Sequence, residues 1–249
     1  MAVISCNCYS SQLGHMQDFC AVIPECARNV SDLPVMWLLH GLTDDYTCWC
    51  RYSQIETFAN IHRIAVIMPY GGRGFYEDMV HGEKFYSLIA DEMPQIVHNL
   101  FNLSEKRERN FIAGLSMGGY GAYKIAMRNP EKYAGAAALS GALDIARIAR
   151  EKQWDDDMQK IFGENYSETV PGSDADLFAL AEKMKDNPNA PRLIQFCGES
   201  DFLLEQNRDF AAHAAKLGLD HSYSEAPGTH DWFFWNSHIE EVIKFFIEA

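Results

Sequence analysis

The stretch that decides the fold reads Phe111-Ile112-Ala113-Gly114-Leu115-Ser116-Met117-Gly118-Gly119-Tyr120-Gly121. A short apolar run leads into the pattern G-x-S-x-G, and a segment with helical character follows, which predicts a strand, a tight turn and a helix. A serine at so sharp a turn has a strained backbone, so its neighbours must be small, as Gly114 and Gly118 are. The pattern favours an exposed, nucleophilic Ser116 at the carboxyl end of a sheet over a glycine-rich turn with an incidental serine.

Outward from this turn, the chain alternates between strand and helix patterns. Residues 2–9 and 16–23 predict an antiparallel pair of strands at the start. Further strands are predicted at residues 35–39, 64–68, 111–113, 133–139, 192–197 and 221–226. Helical patterns lie between them, the clearest at residues 85–101 and 232–247. The order predicts an α/β fold with a mostly parallel sheet of about eight strands and helices on both faces.

The length of 249 residues fits one domain, residues 1–249. Residues 143–191 differ in character, with clustered charges and several glycines and prolines, and we interpret them as a helical lid inserted into that domain. The net charge of −14 argues against nucleic acid and anionic membranes as partners, because both require basic patches. No apolar run approaches the 18 residues of a membrane span.

Cysteine usage indicates a reducing compartment. The count is seven, which is odd, and residues 1–4 do not resemble a basic and apolar leader, so a cytoplasmic location is expected. The pairs Cys6/Cys8 and Cys48/Cys50 lack the spacing of zinc ligands, so no metal site is predicted. The glycine-rich residues 71–74 lack the lysine and the helix of a phosphate-binding loop, and no cofactor is predicted.

A nucleophilic serine needs a base and an acid that orients the base. On this architecture the expected chain order is serine, then Asp or Glu, then histidine. Of the histidines that follow Ser116, His230 alone falls in a predicted loop between a strand and a helix, which favours it as the base. Asp201 directly follows a predicted late strand and is the expected acid, with Asp144 and Glu199 as alternatives.

The remaining site residues are expected at the same edge of the sheet. The backbone N–H groups of Leu42 and Met117 are the predicted oxyanion donors, because they come from the loop after the third strand and from the helix that follows the serine. His40 precedes the serine and is expected to support its loop rather than act as the base. Trp154 and Trp49 are candidate substrate-pocket residues, although aromatic side chains of this kind more often pack in a core.

Together these motifs resemble the esterase D branch of the α/β-hydrolases, which contains S-formylglutathione hydrolases, tributyrin-type carboxylesterases and some feruloyl esterases. The resemblance covers nearly the whole chain, is weakest in residues 143–191, and rests on His40-Gly41-Leu42-Thr43-Asp44, residues 114–121, Gly198-Glu199-Ser200-Asp201 and Thr229-His230-Asp231-Trp232. It implies an α/β-hydrolase fold, with Ser116, His230 and Asp201 as catalytic residues and Leu42 and Met117 as oxyanion donors.

The resemblance also implies a function. We expect a serine carboxylesterase that acts on short-chain acyl esters (acetyl, butyryl) or phenolic (feruloyl) esters, because the compact length and short first strands look more like the tributyrin-type enzymes. An S-formylglutathione hydrolase, an acyltransferase and a non-catalytic binding protein are the alternatives, and the complete set of Ser116, Asp201 and His230 argues against the last. A homo-oligomer that associates through the edge strand or the lid is also expected.

Overall fold

The computed structural model of the chain describes residues 1–28 and 32–248. Within those residues the chain contains one β-sheet. Its strands are β1 (Ala2–Ser10), β2 (His15–Ile23), β3 (Val35–Leu39), β4 (Ala65–Pro69), β5 (Asn110–Leu115), β6 (Gly135–Leu139), β7 (Arg192–Gly198) and β8 (His221–Ala226). Across the sheet they run in the order β1-β2-β4-β3-β5-β6-β7-β8. Strand β2 runs antiparallel to both of its neighbours, β1 and β4, and all the other pairs are parallel. The predicted eight-stranded, mostly parallel sheet is confirmed.

Helices cover both faces of this sheet. They are α1 (Cys48–Tyr52), α2 (Ile55–Ile61), α3 (Phe85–Ser87), α4 (Met93–Leu100), α5 (Met117–Arg128), α6 (Ile145–Arg150), α7 (Asp155–Phe162), α8 (Tyr166–Thr169), α9 (Leu177–Met184), α10 (Leu204–Leu217) and α11 (Trp232–Ile247). Short 3₁₀ turns lie at Glu25–Arg28 and Arg107–Arg109. In the described part of the chain, no helix has both the length and the apolar character needed to cross a membrane.

Strand β3 shows how the sequence produces a sheet that is buried on both sides. Val35, Trp37 and Leu39 point into one apolar cluster, and Met36 and Leu38 point into a second cluster on the opposite face. All five side chains are at most 1% exposed. Because successive residues of a strand face opposite sides, only a continuous apolar run can fill both clusters. Each such side chain contributes roughly 1.5–3 kcal/mol by its burial.

The helix predicted over residues 85–101 is interrupted. A π-helical turn, Leu88–Glu92, separates α3 from α4. The cause is Pro94, which has no N–H to donate to the carbonyl of Ala90 four residues earlier. That carbonyl instead accepts a hydrogen bond from the Lys132 ammonium at 3.1 Å. A wider turn at this place allows the helix to continue past the proline.

The region of residues 143–191 is helical, with α6 to α9. Most of its buried apolar side chains, among them Ile148, Ile161 and Leu180, belong to the same apolar cluster as Val35 of β3. The region therefore has no separate core of its own among the described residues. That it acts as a lid stays a prediction.

Candidate active site

Ser116 occupies the turn between β5 and α5, at the carboxyl end of the sheet. Its backbone angles are φ 52° and ψ −118°, which are unfavourable for any residue other than glycine. A Cβ on Gly114 would lie 2.4 Å from the backbone of Gly118, and a Cβ on Gly118 would lie 2.5 Å from the carbonyl oxygen of Leu39. Neither position therefore has room for a side chain. The Ser116 N–H donates a hydrogen bond to Leu139 O at 2.9 Å, which helps to hold the turn.

Three residues that are distant in the chain meet at this turn. The Nε2 atom of His230 lies 3.0 Å from Ser116 Oγ. On the other side of the ring, His230 Nδ1 lies 2.9 Å and 3.1 Å from the two carboxylate oxygens of Asp201. In this arrangement Nδ1–H donates to the carboxylate, and Nε2 is free to accept the serine proton. The structure therefore brings together the three residues predicted for catalysis.

The carboxylate of Asp201 is buried and well supplied with hydrogen-bond donors. Its side chain is 0% exposed, and the Leu203 N–H donates to Oδ1 at 2.8 Å. Burial raises the pKa of Asp201, but hydrogen bonds from His230, Leu203 N–H and Ser140 outweigh burial and leave this pKa below its ordinary value. Asp201 is therefore ionised at neutral pH, as an acid that orients a histidine must be.

Ser140 was not expected from the sequence. It is fully buried with a positive φ of 49°, and its hydroxyl oxygen accepts from Trp235 Nε1 at 3.1 Å. Because that oxygen accepts from Trp235, the hydroxyl proton is available to Asp201. The sequence feature that could have indicated a role for Ser140 was its position, directly after a predicted strand and at the same edge of the sheet as Ser116.

The two alternative acids lie elsewhere. Asp144 caps the amino end of α6, where its carboxylate accepts the Arg147 N–H at 2.8 Å. Glu199 is exposed to solvent. The structure places neither of them at His230, and of the three candidate acids only Asp201 hydrogen-bonds to this ring.

Leu42 and Met117 line the same cavity as Ser116. Within residues 1–28 and 32–248, neither backbone N–H has a hydrogen-bond acceptor. For Met117 the reason is its place as the first residue of α5, where a helix has no internal acceptor to offer. Both amides are therefore available for an oxyanion, and the helix end at Met117 adds a favourable dipole.

His40 supports the loop that carries Leu42. The ring is 1% exposed, its Nδ1–H donates to Gly41 O at 2.7 Å, and its Nε2 accepts the Gly71 N–H at 2.9 Å. With both nitrogens engaged, His40 has none left to act as a base. Burial lowers the pKa of His40 and keeps the ring neutral. The Tyr76 hydroxyl adds a further bond, to His40 O at 2.8 Å.

Next to Ser116 is a cavity of about 570 Å³. It is lined by Gly41, Leu42, Thr43, Asp44, Tyr52, Phe75, Leu115, Ser116, Met117, Ala142, Trp154, Phe202, His230, Asp231, Trp232 and Trp235. Trp154 belongs to this lining, as predicted, and immediately precedes α7 in a left-handed conformation with φ 52°. Its ring lies 5.7 Å from that of Phe75.

Trp49 does not belong to the cavity lining. It is 1% exposed, its Nε1–H donates to Leu39 O at 3.0 Å, and its ring meets the ring of Trp232 edge-on at 5.0 Å. Trp232 thus stands between Trp49 and the substrate space. The helical phase of α1 turns Trp49 toward the core and Tyr52 toward the cavity, so the prediction for Trp49 has to be corrected.

Phe202 is a further residue of the cavity that was not predicted from the sequence. Its side chain is 68% exposed, and its ring centroid lies 4.5 Å from that of His230. A large apolar ring that is exposed beside the histidine suits contact with a substrate rather than with the core. Its position directly after the predicted acid, Asp201, was the only available signal.

The charge of the cavity is negative. The described residues that line it contribute the carboxylates of Asp44 and Asp231 but no lysine or arginine. Arg73 lies nearby but is occupied by Asp157, with Nη2 and Oδ2 2.6 Å apart. Over the ranges 1–28 and 32–248, no three His, Cys, Asp or Glu side chains are grouped so that they could hold a metal ion.

The parallel sheet, the strained serine between β5 and α5, and the hydrogen-bonded His–Asp pair define a serine hydrolase with the α/β-hydrolase fold. The sequence matches the Esterase family, described as "Putative esterase", over residues 10–246. The chain therefore belongs to this family, and the predicted resemblance to the esterase branch is confirmed.

Three proteins illustrate the similarity. An acetyl esterase of Caldicellulosiruptor saccharolyticus is 32% identical over 261 residues, which cover 98% of this chain and 97% of the relative. The substrate-bound structure of FphF, a fluorophosphonate-binding serine hydrolase of Staphylococcus aureus, has a TM-score of 0.92 at 34% identity and covers 100% and 99% of the two chains. The S-formylglutathione hydrolase FrmB of the same organism, as apoenzyme, has a TM-score of 0.88 at 35% identity, with 99% and 98% covered.

Proposed function

We propose that this protein is a serine carboxylesterase that hydrolyses short-chain acyl esters, acetyl or butyryl, and accepts small phenolic acyl groups such as feruloyl. The observation that carries the proposal is the continuous set of hydrogen bonds from Ser116 Oγ through His230 to Asp201. Ser116 and His230 line a cavity whose size suits a small ester. The similarity to an acetyl esterase over nearly the whole chain supports the same substrate class.

In the first half of the reaction, Ser116 Oγ attacks the ester carbonyl carbon while its proton passes to His230 Nε2. Asp201, ionised and fixed, stabilises the imidazolium that forms. The carbonyl oxygen becomes an oxyanion held by the N–H groups of Leu42 and Met117. Each such donor is worth roughly 10²–10³ in kcat. Collapse of the tetrahedral species breaks the ester bond, and the alcohol leaves with the proton from His230.

In the second half, water replaces the alcohol. His230 takes a proton from water, the hydroxyl attacks the acyl carbon, and the same two N–H groups hold the second oxyanion. The acid product leaves when the bond to Ser116 Oγ breaks and His230 returns the proton to that oxygen. An added alcohol that replaced water in this half would make the protein an acyltransferase, which product analysis detects.

A thioester such as S-formylglutathione is the second candidate substrate, favoured by the similarity to FrmB. The charge of the cavity argues against it. The glutathione portion carries carboxylates, and it would meet Asp44 and Asp231 without a free lysine or arginine among the described lining residues. An uncharged ester encounters no such repulsion.

Three further features belong to the proposal. Trp154 and the helical residues 143–191 act as a lid that sets the acyl preference, as the presence of Trp154 in the cavity lining supports. A reducing cytoplasm is the proposed location, which the seven unpaired cysteines support. A homo-oligomer remains a prediction, with the exposed outer strand β1 as a candidate contact.

The test is hydrolysis of nitrophenyl acetate, butyrate and octanoate, methyl ferulate and S-formylglutathione by the wild type and by Ser116→Ala. We expect activity on the short nitrophenyl esters and its loss, roughly 10⁶-fold in kcat, in the variant. Ser222→Ala is the matched control, because Ser222 is exposed on β8, and it should retain wild-type rates. A preference for S-formylglutathione would move the assignment to the thioester, and an inactive wild type would reject both.

A further inference from the structure

Lys124 is a charged residue in the core that the reaction itself does not use. It lies on α5, the helix that begins directly after Ser116, and is 0% exposed. A buried lysine is rare, because removal of its charge from water is costly unless partners replace the lost hydration. The identity of those partners indicates what the lysine does.

All three protons of the Lys124 ammonium have acceptors on three consecutive residues. Nζ donates to Phe75 O at 3.1 Å and to Tyr76 O at 2.7 Å, and it forms an ion pair with the carboxylate of Glu77. Burial lowers the pKa of Lys124 to about 8 despite the opposing effect of Glu77, so the ammonium is still the main form at neutral pH. The side chain thus clamps one short segment of backbone.

That segment is strained. Phe75 and Tyr76 both have positive φ angles, 48° and 54°. The left-handed conformation costs a non-glycine residue roughly 1–2 kcal/mol, and two such residues in succession require outside support. The two carbonyl groups held by Lys124 belong to these two residues.

Both side chains of the strained pair reach the active site. Phe75 lines the cavity beside Ser116 and contacts Trp154. The Tyr76 hydroxyl donates to the carbonyl of His40, at the start of the loop that carries Leu42. A movement of the pair would therefore shift a wall of the cavity and a support of the oxyanion loop together.

We propose that Lys124 is a positioning residue, which from the nucleophile-bearing helix holds the Phe75–Tyr76 turn and thereby sets the shape of the acyl-binding cavity. This inference rests on the proposed esterase function of the same site. Lys124 itself does not contact the substrate and acts only through the turn.

The test compares acyl-chain preference in Lys124→Met, in the double variant Lys124→Met/Glu77→Gln and in Tyr123→Phe. The double variant avoids an unpaired buried carboxylate. Tyr123→Phe is the matched control: it is the neighbouring buried residue of α5, and its hydroxyl bonds to Ile194 O, away from the turn. Rates on nitrophenyl acetate and octanoate are normalised to the concentration of sites that a fluorophosphonate labels.

We expect the octanoate-to-acetate ratio of kcat/KM to rise roughly tenfold in both Lys124 variants, because a displaced Phe75 admits a longer chain and one methylene in an apolar pocket is worth about tenfold or more. The ratio should be unchanged in Tyr123→Phe. A loss of folded protein lowers both rates equally and leaves the ratio alone, so an unchanged ratio in the two Lys124 variants overturns the inference. A wild type without esterase activity would instead refute the proposed function.

Discussion

Two carboxylates lie two residues apart in the chain, at Glu199 and Asp201, and only that of Asp201 contacts His230. Asp201 is buried and accepts hydrogen bonds from the ring, whereas Glu199 lies in solvent just before it. We predict that Asp201→Asn lowers kcat on nitrophenyl butyrate roughly 10⁴-fold, because an amide does not hold the imidazole in the required tautomer or stabilise its charged form. The measurement is a comparison of kcat among variants at pH 7.

Two matched variants accompany this comparison. Glu199→Gln and Asp144→Asn remove the carboxylates of the two alternative acids and should retain wild-type kcat, since neither contacts His230. The assignment of Asp201 would be wrong if either variant lost activity as strongly as Asp201→Asn.

Single residues differ in how far the sequence could reveal them. Ser116, Asp201 and His230 were predictable because the ends of parallel strands meet at one edge and the chain order restricts the choice. Ser140 and Lys124 were not, because their roles depend on atoms that only the folded chain brings near. A lysine among Tyr123, Ile125 and Ala126 was the one available hint that Lys124 faces the core.

At the scale of elements, the start of α7 is tied to the reaction site. Arg73 holds Asp157 through Nε and Nη2 at 3.3 Å and 2.6 Å, and its Nη1 lies 3.5 Å from the carbonyl oxygen of Leu42. Trp154, a residue of the cavity lining, lies three residues before Asp157. Arg73 therefore links the start of α7 to the oxyanion loop.

We predict that Trp154→Ala changes the ratio of rates on methyl ferulate and nitrophenyl acetate by about tenfold, because an aromatic wall is lost from one side of the cavity. The ratio of kcat/KM for the two esters is the measurement. Phe233→Ala is the control, since Phe233 is 89% exposed and outside the lining, and it should leave the ratio unchanged. An unchanged ratio in Trp154→Ala would mean that this residue does not select substrates.

Elements were predictable where periodicity alone determines them. The bounds of β3 and α11 agree with those expected from the apolar pattern. The π-helical turn before Pro94 was not foreseen, because the proline alone does not determine its form: Lys132, from a distant part of the chain, supplies the alternative donor to Ala90 O. Trp49 was misplaced because the phase of a helix as short as α1 cannot be determined from its sequence.

At the scale of the whole molecule, several buried groups make stability depend on pH. Burial lowers the pKa of His221 to about 4 and also lowers that of His40. As pH falls from 6.5 to about 4, the unfolded chain binds a proton at His221 while the folded chain does not, so stability falls in that window. For His221 alone the loss is on the order of 2–3 kcal/mol.

We predict a fall in Tm between pH 7 and pH 4.5, measured by thermal unfolding at constant ionic strength. His221→Asn should reduce the slope of Tm against pH, because the amide can still donate to Gln195 Oε1, which His221 Nε2 contacts at 3.0 Å, but does not titrate. The depressed pKa of Asp201 acts in the same direction at lower pH. A slope identical to that of the wild type would show that His221 does not contribute.

The position of Trp154 also bears on how such proteins diversify. The reacting groups come from the loops after β3, β5, β7 and β8, whereas the part of the aromatic wall formed by Phe75 and Trp154 comes from the turn after β4 and from the start of α7. The two sets are encoded in separate stretches of the gene. Selection can therefore vary the wall over generations without touching the chemistry, and a lineage can acquire a new substrate while the inherited reaction continues to work.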